Sequence, residues 1–483
     1  MLRLRPGAHH AGMPAARPDP APPRPCGTVP SARQLRWHAL EAYAFVHFSI
    51  NTFTDMEWGY GDESPASFAP TDFSAEQVVQ AIQDAGLKGL ILTAKHHDGF
   101  CLWPSRFTEH SVKRSPFRNG QGDVVREFAD ACHRHGLAFG VYLSPWDRNR
   151  ADYGRPSYVE YFRNQLRELL SNYGPIFEVW FDGANGGDGY FGGARERRKV
   201  TEAYYEWETT YRLVRELQPD AVIFSGVGPD VRWVGNEDGI AGTPCWPTIS
   251  GDAEAINRGD YAALTVGTRL GAFWRPAEAC VSIRPGWFYH AREDAEVKTV
   301  DQLTEIYFAT VGRGAALNLN LPPDRRGRIN EADIKVLSRW AELLRQAFAS
   351  NRAAGATIKA SNTRSPATQY SAQQLLTEGS SGYWSTDDHV VAADLVVDLP
   401  RTAEFNVVQL REFLPLGCRV DEFAVDAWQN GEWHEFARGT SIGGNRLLRT
   451  PLVTTGRVRL RIVKAAAGPA LSAFGLYLLS AER

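Results

Sequence analysis

The stretch Ile176-Phe177-Glu178-Val179-Trp180-Phe181-Asp182-Gly183 runs an apolar segment straight into a carboxylate. Five of its first six residues are apolar, Pro175 precedes it and Gly183 closes it, the pattern of a short buried strand in a parallel sheet. Reactive groups of α/β folds gather at the carboxyl ends of strands, where Asp182 would stand. A lone Asp there can equally cap the next turn. What separates the two readings is the company it keeps.

That company consists of polar residues at the ends of other predicted strands: His47 in the first unit, His96-His97-Asp98 after the second, Tyr142 in the third, and Trp180 in the fourth together with Asp182. Arg232-Trp233 and Glu237 follow the fifth strand in a loop. Hydrolysis at an acetal carbon needs two carboxyl groups, one ionised to attack or activate water and one protonated to assist the leaving oxygen. Asp182 and Glu237 lie on successive strand units and supply such a pair. Glu278 competes with Glu237 for the acid role. Its sequence neighbours Arg275 and Arg284 would hold it ionised, whereas Trp233 and Val234 beside Glu237 suit a raised pKa.

The histidines have two readings. As hydrogen-bond donors, His47, His96 and His97 would grip sugar hydroxyls, at about 1.5–3 kcal/mol for each charge-assisted bond. As metal ligands with Asp182 they would make a metal-dependent barrel hydrolase, but adjacent strand residues point to opposite faces, and no H-E-x-x-H occurs. A third alternative keeps the pocket without the chemistry, as a carbohydrate-binding protein. No metal and no cofactor is expected.

The elements that must position these groups alternate over residues 33–349. Strands are expected at 44–49, 89–97, 138–146, 176–182, 221–226 and 315–321, and helices at 74–86, 123–135, 158–173, 202–217 and 331–348. Strands separated by helices over more than four units predict a parallel sheet with right-handed crossovers, here a (β/α)8-like barrel. No G-x-G-x-x-G follows the first strand, which removes the argument for dinucleotide binding. The pattern fades between 236 and 299, where loop elaboration is expected. Over 350–483, short β-rich segments at 390–399, 404–411, 419–428, 452–463 and 472–479 predict a C-terminal antiparallel β-sandwich. Residues 1–32, rich in Pro, Arg and Ala, have the composition of disorder and lack a signal-peptide core.

A net charge of -3 over 483 residues, with no basic stripe, argues against a nucleic-acid partner, and no stretch of about 20 apolar residues argues for a membrane one. The six cysteines are scattered with no C-x-x-C pair, so no zinc knuckle is indicated. The compartment stays open. Fourteen tryptophans suit either a large core or flat rings that stack on sugar faces.

The motifs Val46-His47-Phe48, Met56-Glu57-Trp58-Gly59, Ala94-Lys95-His96-His97-Asp98-Gly99-Phe100 with Trp103 behind it, Gly140-Val141-Tyr142-Leu143-Ser144 and Val179-Trp180-Phe181-Asp182-Gly183 resemble the α-L-fucosidases of glycoside hydrolase family 29. The resemblance runs from about residue 35 to 480. It implies a retaining mechanism through a fucosyl-enzyme intermediate on an irregular (β/α) barrel, with Asp182 as nucleophile and a fucosylated oligosaccharide or glycoconjugate glycan as substrate. It also favours Glu237 as the acid. His47, Glu57, Trp58, His96, His97, Tyr142 and Trp180 match positions lining the fucose pocket, and Trp287 matches an aromatic near the sugar's methyl group. The stretches at 182–186, 231–237, 274–278 and 317–320 resemble members that prefer α-1,3 and α-1,4 linkages. An apparent insertion at 188–199 departs from that pattern on the aglycone side.

Overall fold

The computed structural model describes residues 21–193, 195–225, 228–251, 261–364, 368–377 and 381–480. Eight parallel strands form one sheet: β1 (Ala42–Val46), β2 (Gly89–Lys95), β3 (Ala138–Leu143), β4 (Glu178–Trp180), β5 (Val222–Phe224), β6 (Arg232–Trp233), β7 (Ala277–Ser282) and β8 (Ala316–Asn320). Their order is β5-β4-β3-β2-β1-β8-β7-β6. A single parallel bridge, Phe224 to Val231, brings the two edge strands together into a nearly closed barrel. No helix of the described residues is long and apolar enough to cross a membrane.

Strand periodicity sorts the side chains of β1 between two cores. On β1, Ala42, Ala44 and Val46 join the large cluster between barrel and helices, while Tyr43 and Phe45 point inward with Ile91, Tyr142, Trp180 and Phe224. The helices cover the outer core. Ala75–Asp84 starts at Ser74, whose side chain accepts from the Gln77 amide, and Val124–His135 stops at Gly136 in the left-handed conformation. Caps of this kind satisfy backbone groups that the helix leaves unpaired. Pro156–Asn172 begins with proline at its first turn, and Glu331–Phe348 ends the barrel.

Two strands differ from expectation. Arg232–Trp233 is not loop but β6, and Ala277–Ser282, inside the region where the pattern fades, is a fully buried six-residue strand. Small and polar residues disguise it, because its inward face carries Glu278 and Cys280 in place of large apolar groups. The connection from Phe224 to Arg232 is too short for a helix, so the α/β alternation breaks there.

The C-terminal part is a seven-stranded antiparallel sheet. The segments expected at 390–399 and 404–411 are one strand, Ala393–Glu412, irregular between Asp398 and Ala403, paired with an equally long Arg446–Ala465. The first half of Ala393–Glu412 pairs with Thr357–Ala360 and the second with Ala470–Tyr477, and both halves feed one core. Residues 1–20 of the segment expected to be disordered lie outside the described residues. Residues 21–32 differ from that expectation: the Ala21 carbonyl accepts from Arg364 Nε at 2.9 Å, the Cys26 amide donates to the Leu416 carbonyl at 2.9 Å, and Thr28 Oγ1 donates to the Gly271 carbonyl at 2.9 Å. Proline-rich chain is held there by backbone bonds that composition does not reveal.

Candidate active site

A cavity of about 490 Å³ opens at the carboxyl end of the barrel. It is lined by all ten expected residues, His47, Glu57, Trp58, His96, His97, Tyr142, Trp180, Asp182, Glu237 and Trp287, together with Phe45, Gly183, Ala184, Phe224, Trp233, Tyr261 and Cys280. Asp182 stands two residues beyond β4, on the inward parity of Glu178 and Trp180. Its Oδ1 accepts from the Ala184 amide at 2.7 Å and its Oδ2 from the Tyr142 hydroxyl at 3.1 Å. A quarter of its side chain stays exposed to the cavity. Burial, and then the charge of Asp182, push the Tyr142 phenol well above its usual range, so it remains a donor.

Glu237 lies past β6 at the rim. Trp287 Nε1 donates to its Oε2 across a long 3.4 Å. The residue as a whole is exposed, yet its carboxyl faces the pocket wall. That partial burial raises its pKa, the Trp287 contact opposes the rise, and the charge of Asp182 adds to it. Of the two cavity carboxyl groups, Glu237 is the one that its surroundings push toward the protonated form.

The three imidazoles are neutral. Burial pushes His47 down to about 3, against the opposing pull of Asn320. Burial also lowers His96 well below its usual value and lowers His97, where the Asp182 charge works in the other direction. Their tautomers follow from their partners. Asn320 Nδ2 donates to the Trp287 carbonyl at 2.8 Å, which turns its Oδ1 toward His47 Nδ1 at 2.8 Å. Ser144 Oγ donates to the Trp146 carbonyl at 2.7 Å and therefore accepts from His97 Nδ1 at 2.7 Å. Nδ1 carries the hydrogen in both rings, and each Nε2 is left as an acceptor. His97 Nε2 is 4.0 Å from Asp182 Oδ2. Both His96 and His97 reach the cavity despite strand alternation, because β2 ends at Lys95 with a register shift after Thr93 and the chain turns at once, the Gly99 amide donating to the His96 carbonyl. Among the described residues no cluster of three or more His, Cys, Asp or Glu side chains is arranged to hold a metal ion.

A family profile described as Alpha-L-fucosidase matches residues 28–347. A curated relative, Alpha-L-fucosidase 1 of Arabidopsis thaliana, is 42% identical over 467 residues, 96% of this chain and 89% of its own length. The chain belongs to the α-L-fucosidase family, glycoside hydrolase family 29. It is similar to the crystal structure of a glycoside hydrolase 29 family member from an unknown rumen bacterium, at 42% identity and a TM-score of 0.85, covering 95% of this chain and 79% of that one. It is also similar to a Ruminococcus gnavus family 29 fucosidase in complex with fucose, at 31% identity and a TM-score of 0.87, covering 96% and 97%. The protein is therefore an enzyme, a glycoside hydrolase that acts as an α-L-fucosidase.

Several side chains of this fucosidase serve the pocket otherwise than their sequence context suggests. Glu57 has its carboxylate occupied: Oε1 accepts from the Phe288 amide at 3.1 Å and stands 2.7 Å from His290 Nε2, while Oε2 accepts from the Trp287 amide at 2.9 Å. Glu57 thereby ties the loop after β1 to the loop that carries Trp287. Trp180 contributes its ring and not its N–H, which points into the barrel and donates to Glu278 at 2.9 Å. Trp58 is half exposed at the rim, edge-on to His97 at 5.3 Å and Trp146 at 5.6 Å. Glu278 does not line the cavity. Its partners are Tyr43, Trp180, Asn318 and Cys280, none of them an arginine. Arg284 is instead committed to Asp333 and Asp294.

Phe45, Phe224, Cys280 and Tyr261 complete the wall and were not singled out from sequence. The first three share the inward parity of Tyr43, Trp180 and Glu278, a signal available once the strands are known. Tyr261 had none. The insertion at 188–199 forms a hairpin, Asp188–Gly189 with Glu196–Arg197, folded onto the loop after β3, with Phe191 stacked on Tyr153 at 5.6 Å. None of its described residues lines the cavity.

Proposed function

We propose that this enzyme releases α-L-fucose with retention of configuration, Asp182 attacking the anomeric carbon and Glu237 protonating the leaving oxygen. The observation that carries the reading is that Asp182 and Glu237 line one cavity and that partial burial raises the pKa of Glu237. Asp182 keeps lone pairs free beyond its bonds to Tyr142 and Ala184, as attack requires. Once the ester forms, its charge is gone. The raised pKa of Glu237 then relaxes, which suits it to take a proton from the incoming water. Neutral His47 and His97 accept hydrogen bonds from sugar hydroxyls through Nε2, and His96 presents a third ring beside them. Trp287 and Phe45 offer apolar surface to the sugar's methyl group. The fucose bound by the Ruminococcus gnavus relative, similar to this chain over 96% of its length, supports the same sugar here.

The proposed substrates are α-1,3- and α-1,4-fucosylated branches. Of the four stretches behind this preference, 274–278 and 317–320 lie mainly in β7 and β8, below the cavity, while Gly183, Ala184, Trp233 and Glu237 face it. The preference rests on the latter group. The leaving sugar must lie on the Glu237 side, where Trp233 and Tyr261 stand edge to face at 5.3 Å. The test is hydrolysis of a Lewis-type trisaccharide, 2'-fucosyllactose and an aryl α-L-fucoside, with the first-formed anomer followed by NMR. Initial release of β-fucose would end the retaining mechanism. Faster turnover of 2'-fucosyllactose or the aryl fucoside would end the linkage preference alone.

A further inference from the structure

Beneath the sugar pocket lies a closed set of polar groups that the reaction described above does not use. Glu278 is fully buried on β7, yet four donors converge on it. The Tyr43 hydroxyl donates to Oε2 at 2.5 Å, and Trp180 Nε1, Asn318 Nδ2 and Cys280 Sγ donate to Oε1 at 2.9, 3.0 and 3.1 Å. The carboxyl group of Glu178 also hydrogen-bonds Glu278, so the Glu278 side chain is tied on every side. Glu178, also fully buried, accepts from Trp37 Nε1 at 3.0 Å, and the same N–H lies 3.0 Å from the Tyr43 oxygen. Burial, and then the adjacent Glu278, push Glu178 well above the usual carboxyl range. That direction favours the neutral form of Glu178 beside Glu278.

A buried carboxylate is costly to keep, and a fully satisfied one rigidifies whatever donates to it. Two of the donors, Trp180 and Cys280, line the cavity, and Trp180 is the one that rests against Tyr142. Its indole lies against Phe224, with centroids 4.1 Å apart and planes 5° apart, and against Tyr142 at 5.2 Å and 24°. Stacking fixes the tilt of the ring but leaves rotation within its plane. The bond to Glu278 removes that freedom. Tyr142, resting on the same ring, donates to Asp182.

We propose that Glu278 is the positioning carboxylate of the active site: through the Trp180 indole N–H it fixes the ring on which Tyr142 rests, and so keeps the Tyr142–Asp182 hydrogen bond aligned for attack. This rests on the reading of Asp182 as nucleophile. Glu278→Gln keeps the size and the Oε1 acceptor but turns an amide toward the Tyr43 hydroxyl, and the network must rearrange.

The experiment compares Glu278→Gln, Trp180→Phe, the double variant and Glu178→Gln on aryl α-L-fucosides with good and poor leaving groups. Misplacement of a reacting group by about 1 Å costs about 100-fold. Glu278→Gln should therefore lower kcat by about 10- to 100-fold, with KM little changed and the same loss for both leaving groups. Trp180→Phe removes the N–H and should lose kcat similarly, and the double variant should be no slower than the worse single one, since both cut the same link. Glu178→Gln replaces one neutral acceptor by another and should behave nearly as wild type. Wild-type kcat in Glu278→Gln, or losses that multiply in the double variant, would overturn the proposal. A loss confined to poor leaving groups would overturn it too, by making Glu278 the acid. If Glu278→Gln fails to fold, wild-type kcat in Trp180→Phe overturns it alone. The nucleophile reading is judged separately: azide should restore turnover to Asp182→Ala, and absence of rescue would remove that reading and not merely the positioning role.

Discussion

Replacing Glu237 by Gln removes the proposed proton donor while keeping its shape, and the surroundings of the site bound how much should be lost. General acid assistance contributes about 10²- to 10⁴-fold. That is about 2.7 to 5.4 kcal/mol of barrier at 1.36 kcal/mol per tenfold. Among the described residues no other pocket group is placed to supply the proton. His47, His96 and His97 are neutral with depressed pKa values, Tyr142 is committed to Asp182, and the Glu57 carboxylate is occupied by the Trp287 loop. The rim position of Glu237 admits water, a weak substitute, which places the expected loss near the middle of the range, about 10³-fold in kcat/KM for a fucosylated oligosaccharide. A dinitrophenyl fucoside needs no protonation, so its kcat/KM should stay within about tenfold of wild type while its kcat falls, because the second step lacks its base. Stopped-flow traces should then show a burst of the phenol. The acid must be protonated to act, so wild-type kcat/KM should fall as pH rises through the Glu237 pKa, and this limb should vanish in the variant. Equal losses in kcat/KM for both leaving groups would refute the assignment.

Asp182→Ala should lose turnover by several orders of magnitude, with azide giving the inverted fucosyl azide; near-normal turnover would remove Asp182 as nucleophile. His47→Ala should weaken fucose binding by about 0.5–1.5 kcal/mol, the range for uncharged hydrogen bonds, below the charge-assisted range expected from sequence; calorimetry with fucose decides. The folded pKa of His47, about 3 against 6.5 unfolded, means that the unfolded chain binds more protons between those values, so stability is complete above 6.5 and lost as pH falls. By pH 5 the loss from this ring should reach about 2 kcal/mol, and urea titrations should find it absent in His47→Gln. Lys95 of the K-H-H-D motif bonds Asp147 at 3.1 Å and Gln165 at 3.0 Å, wholly buried. Lys95→Met strands Asp147 and should cost about 3–5 kcal/mol in denaturant unfolding; unchanged stability would refute the buried pair as a structural tie.

The catalytic side of the barrel was legible because its strands are apolar and separated by amphipathic helices. Ser74, Asp123 and Gly136 mark helix ends that the structure reproduces. The floor of the site was not. β6 and β7 hold small and polar residues, and Glu278 reads as a strand-breaking charge until Tyr43, Trp180, Asn318 and Cys280 are seen around it. Those partners come from β1, β4, β8 and β7 itself, so no local window contains them. Histidine charge was equally hidden. Linear context suggested donors, neutral or charged, but burial and the carbonyl-directed orientation of Asn320 and Ser144 leave neutral rings with Nε2 as acceptor. Tyr261 reaches the pocket from the short helix Tyr261–Val266, which no motif marks.

The barrel closes through one bridge between Phe224 and Val231, beside a two-residue β6, whereas β2 and β3 pair over six registered positions. Resistance to local opening follows such ladders. Amide exchange should be slowest along β1, β2, β3 and β8 and fastest across the β5–β6 seam. The two proposed catalytic carboxyl groups are mounted on opposite sides of that seam, Asp182 after a strand laddered to β3 and β5 and Glu237 beyond the gap. Gentle heating should therefore disable the enzyme selectively. Oligosaccharides, which depend on the acid, should cease to be cleaved while activated aryl fucosides still turn over, so that thermal wear shows first as a change in the substrates accepted.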